Sequence, residues 1–355
     1  MKKKIAFFSY NLDIGGIERA IINYVNLIDY QKYDVTLFLE KKEGAYINDV
    51  NSKIKIIAFN PSNLSNIIFR KIHNFIKLLY FIIKYYHRFF FAACFKSTSR
   101  AGSLIVPYIS KNNAFYFHGN YWNNEKEAKT FIKQYHVLKY QKLVFVSEAL
   151  KKEYLKVISS HQLLFVKSNQ IDYKEIIKKN KKKTFSTSKI TFLNVGRHSE
   201  EEKNITMLLK TLKRLKDEKY SFKLWLLGSG PDTNYYRELV NNLNLSNEIE
   251  FLGFSNNVYP YIKSCDALLL TSKKEGNPVV FNEAKVLGKT VITTDVSDAR
   301  IDLNGFGIVT ENNEEAFYQG LKSYLNNGFK IYQQFDGKKY NEEIITKVYE
   351  MIEKR

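Results

Sequence analysis

Ala267 to Ala284 reads ALLLTSKKEGNPVVFNEA, and the fold is decided there. The short apolar run from Ala267 to Thr271 has the length and content of a buried strand. It leaves into a polar loop that carries Glu275 and Gly276. Asn277 is a residue type that caps helices and Pro278 suits a first helical position, so a helix is expected to start here and to end before Gly288. Strand, loop and helix in this order make one unit of a parallel sheet covered by helices. The unit recurs outward. Further strand-like runs in the second half are Ile190 to Val195, Lys223 to Leu227, Ile249 to Gly253, Thr290 to Thr294 and Gly307 to Thr310. In the first half they are Ile5 to Tyr10, Asp34 to Leu39, Ile54 to Phe59, Ala114 to Phe117 and Leu143 to Ser147. Helical periods fill the gaps, and the class is α/β with doubly wound parallel sheets.

A chain of 355 residues exceeds one core, so two domains are expected. Tyr173 to Ser188 contains KKNKKK and TFSTS with no apolar face, and the junction is placed there. The first domain is then 1–172, the second 173–337, and 338–355 an amphipathic terminal helix able to dock back on the first. Hydrophobic residues at 45% with five prolines exclude a disordered chain. A formal net charge of +19 attracts anions, whether nucleic acid, lipid headgroups or phosphorylated small molecules. Cys94 and Cys265 are too few for a disulfide framework and favour a reducing, cytoplasmic compartment. The start MKKKIAFFSYNLD is basic, but its apolar run is short and no small-residue cleavage site follows, so IAFFSY is read as a first strand. Ile67 to Phe95 is the most apolar stretch, yet Arg70, Lys71, Lys77, Lys84 and Arg88 interrupt it and no transmembrane helix is expected.

Ligands of open parallel sheets bind beyond the carboxyl ends of the strands. Ile190 to Val195 exits into Gly196, Arg197, His198 and Ser199, then reaches Lys203 before a helix. Lys223 to Leu227 exits into Gly228-Ser229-Gly230-Pro231, which either cradles phosphate or simply makes a tight turn. The amides and dipole of the helix expected at Asn277 favour an anion, most simply a diphosphate, with Arg197 and Lys203 nearby. Glu275 and Glu283 would repel phosphate and are better used as acceptors for hydroxyl groups.

These residues resemble family 4 of the retaining glycosyltransferases, which have the GT-B fold of two Rossmann-like domains facing across a cleft. The matching segments are VGR with a following KN at 195–204, LLGSGPD at 226–232, FLGFSNNVYPYIKSCD at 251–266, TSKKEGNPVVFNEA at 271–284 and VITTD at 291–295. In the first half, Asp13-Ile14-Gly15-Gly16 resembles the family's glycine pair and YFHGNYW at 116–122 its histidine motif. LVFVSEALKKEYL at 143–155 and SNQIDYKEI at 168–176 also fit, while 63–108 matches nothing. The resemblance implies that His118 and Glu275 contact the donor sugar, that Glu283 binds the ribose, and that Arg197 and Lys203 hold the diphosphate. Gly15, Gly16, Gly196, Gly228, Gly230 and Pro231 would line the donor site, together with Gly276, Asn277, Pro278 and Val279. The loop from Arg197 to Lys203 is one residue longer than in many members, whose lysine falls where Glu202 stands here.

The resemblance further implies transfer of a hexose or N-acetylhexosamine, with retention, from a nucleotide diphosphate sugar that is by default UDP-linked. The acceptor would be a growing lipid-linked glycan of capsule, exopolysaccharide or O-antigen type in a bacterium. No cofactor is expected: there is no Asp-x-Asp motif, and protein cations replace a divalent metal. Other readings are kept. His118 can be a core histidine, Arg197 and Lys203 solvated charges, and Tyr259 and Tyr261 packing residues. Phe75 to Arg88 reads as a core helix before a membrane-facing one, though its basic and aromatic content leaves interfacial binding open. On the latter reading an anionic membrane surface, at the inner face of the cell membrane, is a partner of a peripheral protein. A non-catalytic membrane- or nucleic-acid-binding protein, an epimerase and a phosphorylase on the same scaffold are the alternatives. Scattered basic residues without an interleaved aromatic motif argue against nucleic acid.

Overall fold

The computed structural model describes residues 1–13, 15–180 and 188–354. Ile14 of the glycine-pair motif and 181–187 of the lysine-rich junction lie outside the described residues. The chain divides into two compact units, Met1–Gln170 with Tyr340–Arg355, and Ile171–Lys339, against divisions expected from sequence after 172 and 337.

Unit 1 has seven parallel strands: β1 (Lys3–Ser9), β2 (Tyr33–Leu39), β3 (Lys55–Ala58), β4 (Phe91–Cys94), β5 (Asn113–Phe117), β6 (Lys142–Phe145) and β7 (Leu163–Val166). Their order is β3-β2-β1-β4-β5-β6-β7, and α1 (Gly16–Asn26), α2 (Ile67–Tyr85), α3 (Arg100–Ile109), α4 (Glu125–Gln134) and α5 (Glu148–Val157) connect them. Strand alternation fills a core on each face. Ile5 and Phe7 of β1 join Ile21 and Val25 of α1, whereas Ala6 and Phe8 join Ile105 of α3 and Tyr154 of α5. Helices start where a side chain accepts a first-turn amide: Asn66 from Ile68 and Phe69, Ser99 from Gly102, Ser147 from Leu150.

Unit 2 has α6 (Tyr173–Lys179) and then six parallel strands: β8 (Ile190–Val195), β9 (Phe222–Leu227), β10 (Ile249–Gly253), β11 (Ala267–Leu270), β12 (Thr290–Thr294) and β13 (Gly307–Thr310). The order is β10-β9-β8-β11-β12-β13. Between them run α7 (Glu200–Lys203), α8 (Ile205–Asp217), α9 (Thr233–Asn242), α10 (Tyr259–Ser264), α11 (Val279–Val286), α12 (Ala299–Asp302) and, last, α13 (Glu314–Asn327). Phe192, Leu224 and Leu226 pack with Leu208 and Leu212 of α8 and Phe317 of α13 in one core. The final helix, α14 (Gly337–Glu353), places Ile344, Val348, Met351 and Ile352 in the unit 1 core beside α1 and β1. Tyr349 Oη accepts from the Asp29 amide at 2.8 Å, and Asn112 Nδ2 donates to the Ile352 carbonyl at 2.7 Å.

Three expectations are corrected. β4 and β7 were not read as strands. Phe75 to Arg88 is not a core helix: within α2 only Phe81 is buried. Asn277 does not cap α11, which starts one residue later than expected with Pro278 in the cap position.

Candidate active site

Strand order reverses between β1 and β4 in unit 1 and between β8 and β11 in unit 2, and such a reversal opens a crevice at the carboxyl ends of the strands. The candidate residues gather at these two places.

In unit 2 the chain leaves β8 through Gly196 and exposed Arg197 into the single turn of α7. Asn204, left-handed at φ 49°, ends that turn and starts α8. Lys203 thereby lies back over Gly196, where an added Cβ would stand 3.5 Å from its Cε. Lys203 Nζ donates to Glu275 Oε1 at 2.5 Å, and the same oxygen accepts from Ser272 Oγ at 2.7 Å. The two loops are bound to each other beneath this pair. Thr271 Oγ1 donates to the carbonyls of Lys203 and Asn204 at 3.1 and 3.0 Å, and the Lys273 amide to that of Glu202 at 2.9 Å. Glu202 itself is exposed, so Lys203 and not Glu202 meets Glu275. Among the described residues no ion pair or side-chain hydrogen bond holds Arg197.

Gly228, at φ +145°, and Gly230 lie against this loop. An added Cβ would stand 1.9 Å from the Gly196 oxygen and 2.3 Å from that of His198, so loop packing requires glycine at both. Pro231 is exposed. Gly276 is buried and its carbonyl accepts from Ser297 Oγ. Asn277 Nδ2 donates to Asp302 Oδ2 at 3.0 Å, a partner 25 residues along the chain. Pro278 stands in the cap position and makes no side-chain bond to the amides at the start of α11. Val279 opens α11 half-buried, and Glu283 is buried in its second turn. Beneath them, burial pushes Asp302 up to about 6, against the pull of Lys285, whose own pKa burial lowers to about 8.

In unit 1, Gly15 caps α1 and Glu18 folds back over it, so that a Cβ on Gly15 would meet Glu18 Oε2 at 2.3 Å. Lys96, just past β4, donates to Glu18 Oε1 at 2.6 Å. A Cβ on Gly16 would meet nothing within 4 Å. His118 follows β5, is 8% exposed, and lies on the ring of Phe95 at 4.5 Å. Neither ring nitrogen has a hydrogen-bond partner among the described residues. Burial, then the charge of Lys96, holds the imidazole neutral down to about pH 3. The Glu18–Lys96 pair was missed from sequence; its signal is a cation directly after the apolar run that ends the switch-point strand.

Residues 175–342 match the family model described as "Glycosyl transferases group 1". An "Uncharacterized glycosyltransferase" of Haemophilus influenzae is 26% identical over 351 residues, 95% of this chain and 94% of the relative. Over residues 175–342, a little under half of its length, the chain resembles the group 1 glycosyltransferases. The matched segment contains the Lys203–Glu275 pair and Glu283, and leaves Gly15, Gly16 and His118 outside. A second relative, 34% identical over 137 residues, is the "N-acetylgalactosamine-N,N'-diacetylbacillosaminyl-diphospho-undecaprenol 4-alpha-N-acetylgalactosaminyltransferase" of Campylobacter jejuni; the match covers 38% of this chain and 36% of that enzyme. Anabaena HepE, solved in complex with UDP and glucose, superposes with a TM-score of 0.76 at 16% identity, over 98% of this chain and 99% of that one. A Staphylococcus aureus TarM variant, solved with Fondaparinux, alpha-GlcNAc-glycerol and UDP, gives 0.78 at 12% identity, over 99% and 100%. The chain shares the GT-B fold of these structures. Among its described residues no group of three or more His, Cys, Asp and Glu is placed to hold a metal ion.

Proposed function

We propose that the chain moves a hexose or N-acetylhexosamine, with retention and without a metal, from a UDP-linked donor to a lipid-linked cell-surface glycan at the inner face of the membrane. The observation that carries this reading is the Lys203–Glu275 pair beside Arg197, which forms no ion pair among the described residues. A diphosphate competes with Glu275 for Lys203, and Arg197 and the amides at the start of α11 supply further positive charge. Glu275, once released, accepts hydrogen bonds from sugar hydroxyls. The acceptor hydroxyl enters on the face from which the nucleoside diphosphate departs, so no protein nucleophile is used. Positioning and neutralisation of the leaving group then supply the catalysis. In unit 1 the orphaned nitrogens of neutral His118 suit a sugar hydroxyl, and open space at Gly16 suits close approach of phosphate to backbone. The UDP and glucose of HepE support the donor class, and the diphospho-undecaprenol in the name of the Campylobacter relative supports a lipid-linked acceptor.

The test is thermal unfolding with UDP-, GDP- and dTDP-sugars in chelator. At a hundred times its dissociation constant the right donor adds about 2.7 kcal/mol. Stabilisation by the uridine class alone, lost in Arg197→Ala and Lys203→Ala, is the expected result. Stabilisation by none of them, or only after a divalent metal is restored, overturns the reading.

A further inference from the structure

The two faces of α2 carry their residues against the usual rule. Asn74, Lys77, Leu78, Phe81, Ile82 and Tyr85, at helical spacing, form the covered face. Phe81 meets the rings of Phe38 at 5.3 Å and Phe59 at 5.9 Å, Lys77 Nζ donates to the Asn60 carbonyl, and Asn74 Oδ1 accepts from the Ser62 amide. The opposite face is the more apolar one. Ile68, Ile72, Phe75, Leu79 and Ile83, four, three, four and four residues apart, are 68%, 50%, 58%, 42% and 74% exposed. A continuous apolar stripe of this length on a protein surface marks an interaction site.

The charge on this stretch of the chain has one sign. Between Asp49 and Glu125 there is no Asp or Glu, and ten Lys and Arg stand in that interval. Lys71 flanks the stripe on one edge and Lys84 on the other, with Arg88 just past the helix; all three are exposed and enter no ion pair among the described residues. We propose that α2 is an in-plane membrane anchor, its stripe sunk into the headgroup–acyl boundary of an anionic bilayer and Lys71, Lys84 and Arg88 set against lipid phosphates. A second copy of the chain would bring the same cations against themselves with no acidic residue on α2 to pair, which disfavours a symmetric dimer through this face. Nineteen residues at about 1.5 Å each give a helix roughly 28 Å long, with a stripe of about 22 Å along it, yet no helix among the described residues is long and apolar enough to cross a membrane. An apolar face bordered by lysine and arginine on such a helix fits a bilayer interface. The inference rests on the surface of α2 and is independent of which sugar is transferred.

Flotation of the full chain with vesicles of phosphatidylglycerol and phosphatidylethanolamine, beside phosphatidylcholine alone, tests it without any turnover. The expected result is about tenfold more protein floating with the anionic vesicles, lost in Phe75→Ser/Leu79→Ser and in Lys71→Glu/Lys84→Glu. Should the serine pair fail to fold, Leu79→Trp carries the test. The fluorescence of the introduced indole is then quenched by brominated acyl chains, whereas that of buried Trp122 and Trp225 is not. Wild type that stays down with anionic vesicles, equal flotation on phosphatidylcholine, flotation of the folded serine pair, or an unquenched indole in Leu79→Trp each overturns the proposal. Sedimentation velocity adds one more arm: a dimer that the serine pair converts to monomer, with no flotation of either, assigns the face to a second copy.

Discussion

At the scale of single residues the decisive contact is the one between Lys203 and Glu275. Lys203→Met and Glu275→Gln are expected to lower kcat by about 10² to 10³, the usual loss when a group that stabilises developing charge is removed, and steady-state assays check this. Two groups shifted by desolvation set opposite pH responses. His118 stays neutral to about pH 3 in the folded chain, while an unfolded chain takes up that proton near about 6.5, so its contribution to stability falls as the pH drops below about 6.5. Asp302 keeps its proton up to about pH 6 when folded and only to about 4 when unfolded, so acidification between those values favours the fold. Melting temperatures across pH should therefore show a shallower acid loss in His118→Gln. In Asp302→Asn the gain over wild type should be larger at about pH 7.5 than at about pH 4.5. The Lys203 candidacy was legible from its loop; that Glu202 does not take its place depends on the turn of α7 and on Asn204, which the spacing alone does not give.

At the scale of elements, two glycine pairs separate packing from ligand approach. Gly228→Ala puts a Cβ into the Gly196 carbonyl at a backbone angle that strains alanine, and a loss of about 2 to 4 kcal/mol in denaturant unfolding is expected. Gly16→Ala meets no atom, so stability should hold within about 0.5 kcal/mol while the KM for the donor rises. The six strands of unit 2 were readable because each is a short apolar run ended by a polar or glycine loop. β4 was hidden because FAAC continues the apolar stretch that begins at Ile67, where periodicity does not separate helix from strand. β7 is an edge strand of four residues, none buried, with little pattern to read. Helical period likewise showed that α2 has an apolar face without showing what that face meets. Preference at Asn277 was overridden by Asp302, and the Glu18–Lys96 pair joins residues 78 apart; neither is visible to a local reading.

At the scale of the whole molecule, unit 1 is assembled from both ends of the chain. Deleting 340–355 removes Ile344, Val348, Met351 and Ile352 from its core. At about 1.5 to 3 kcal/mol for each buried side chain, the loss is comparable with the roughly 5 to 15 kcal/mol that typically holds a domain together. The truncated chain should therefore lose unit 1 and keep a cooperative transition for unit 2, as read by calorimetry with limited proteolysis. The same connectivity sets the order of events during synthesis. A ribosome releases 171–339 before 344–352 have emerged, so unit 2 can close while β1 to β7 still lack the helix that covers one of their faces. The half translated first is the half completed last, and a nascent chain held with residue 339 just outside the ribosomal exit tunnel should carry a folded sheet downstream of an unfinished one.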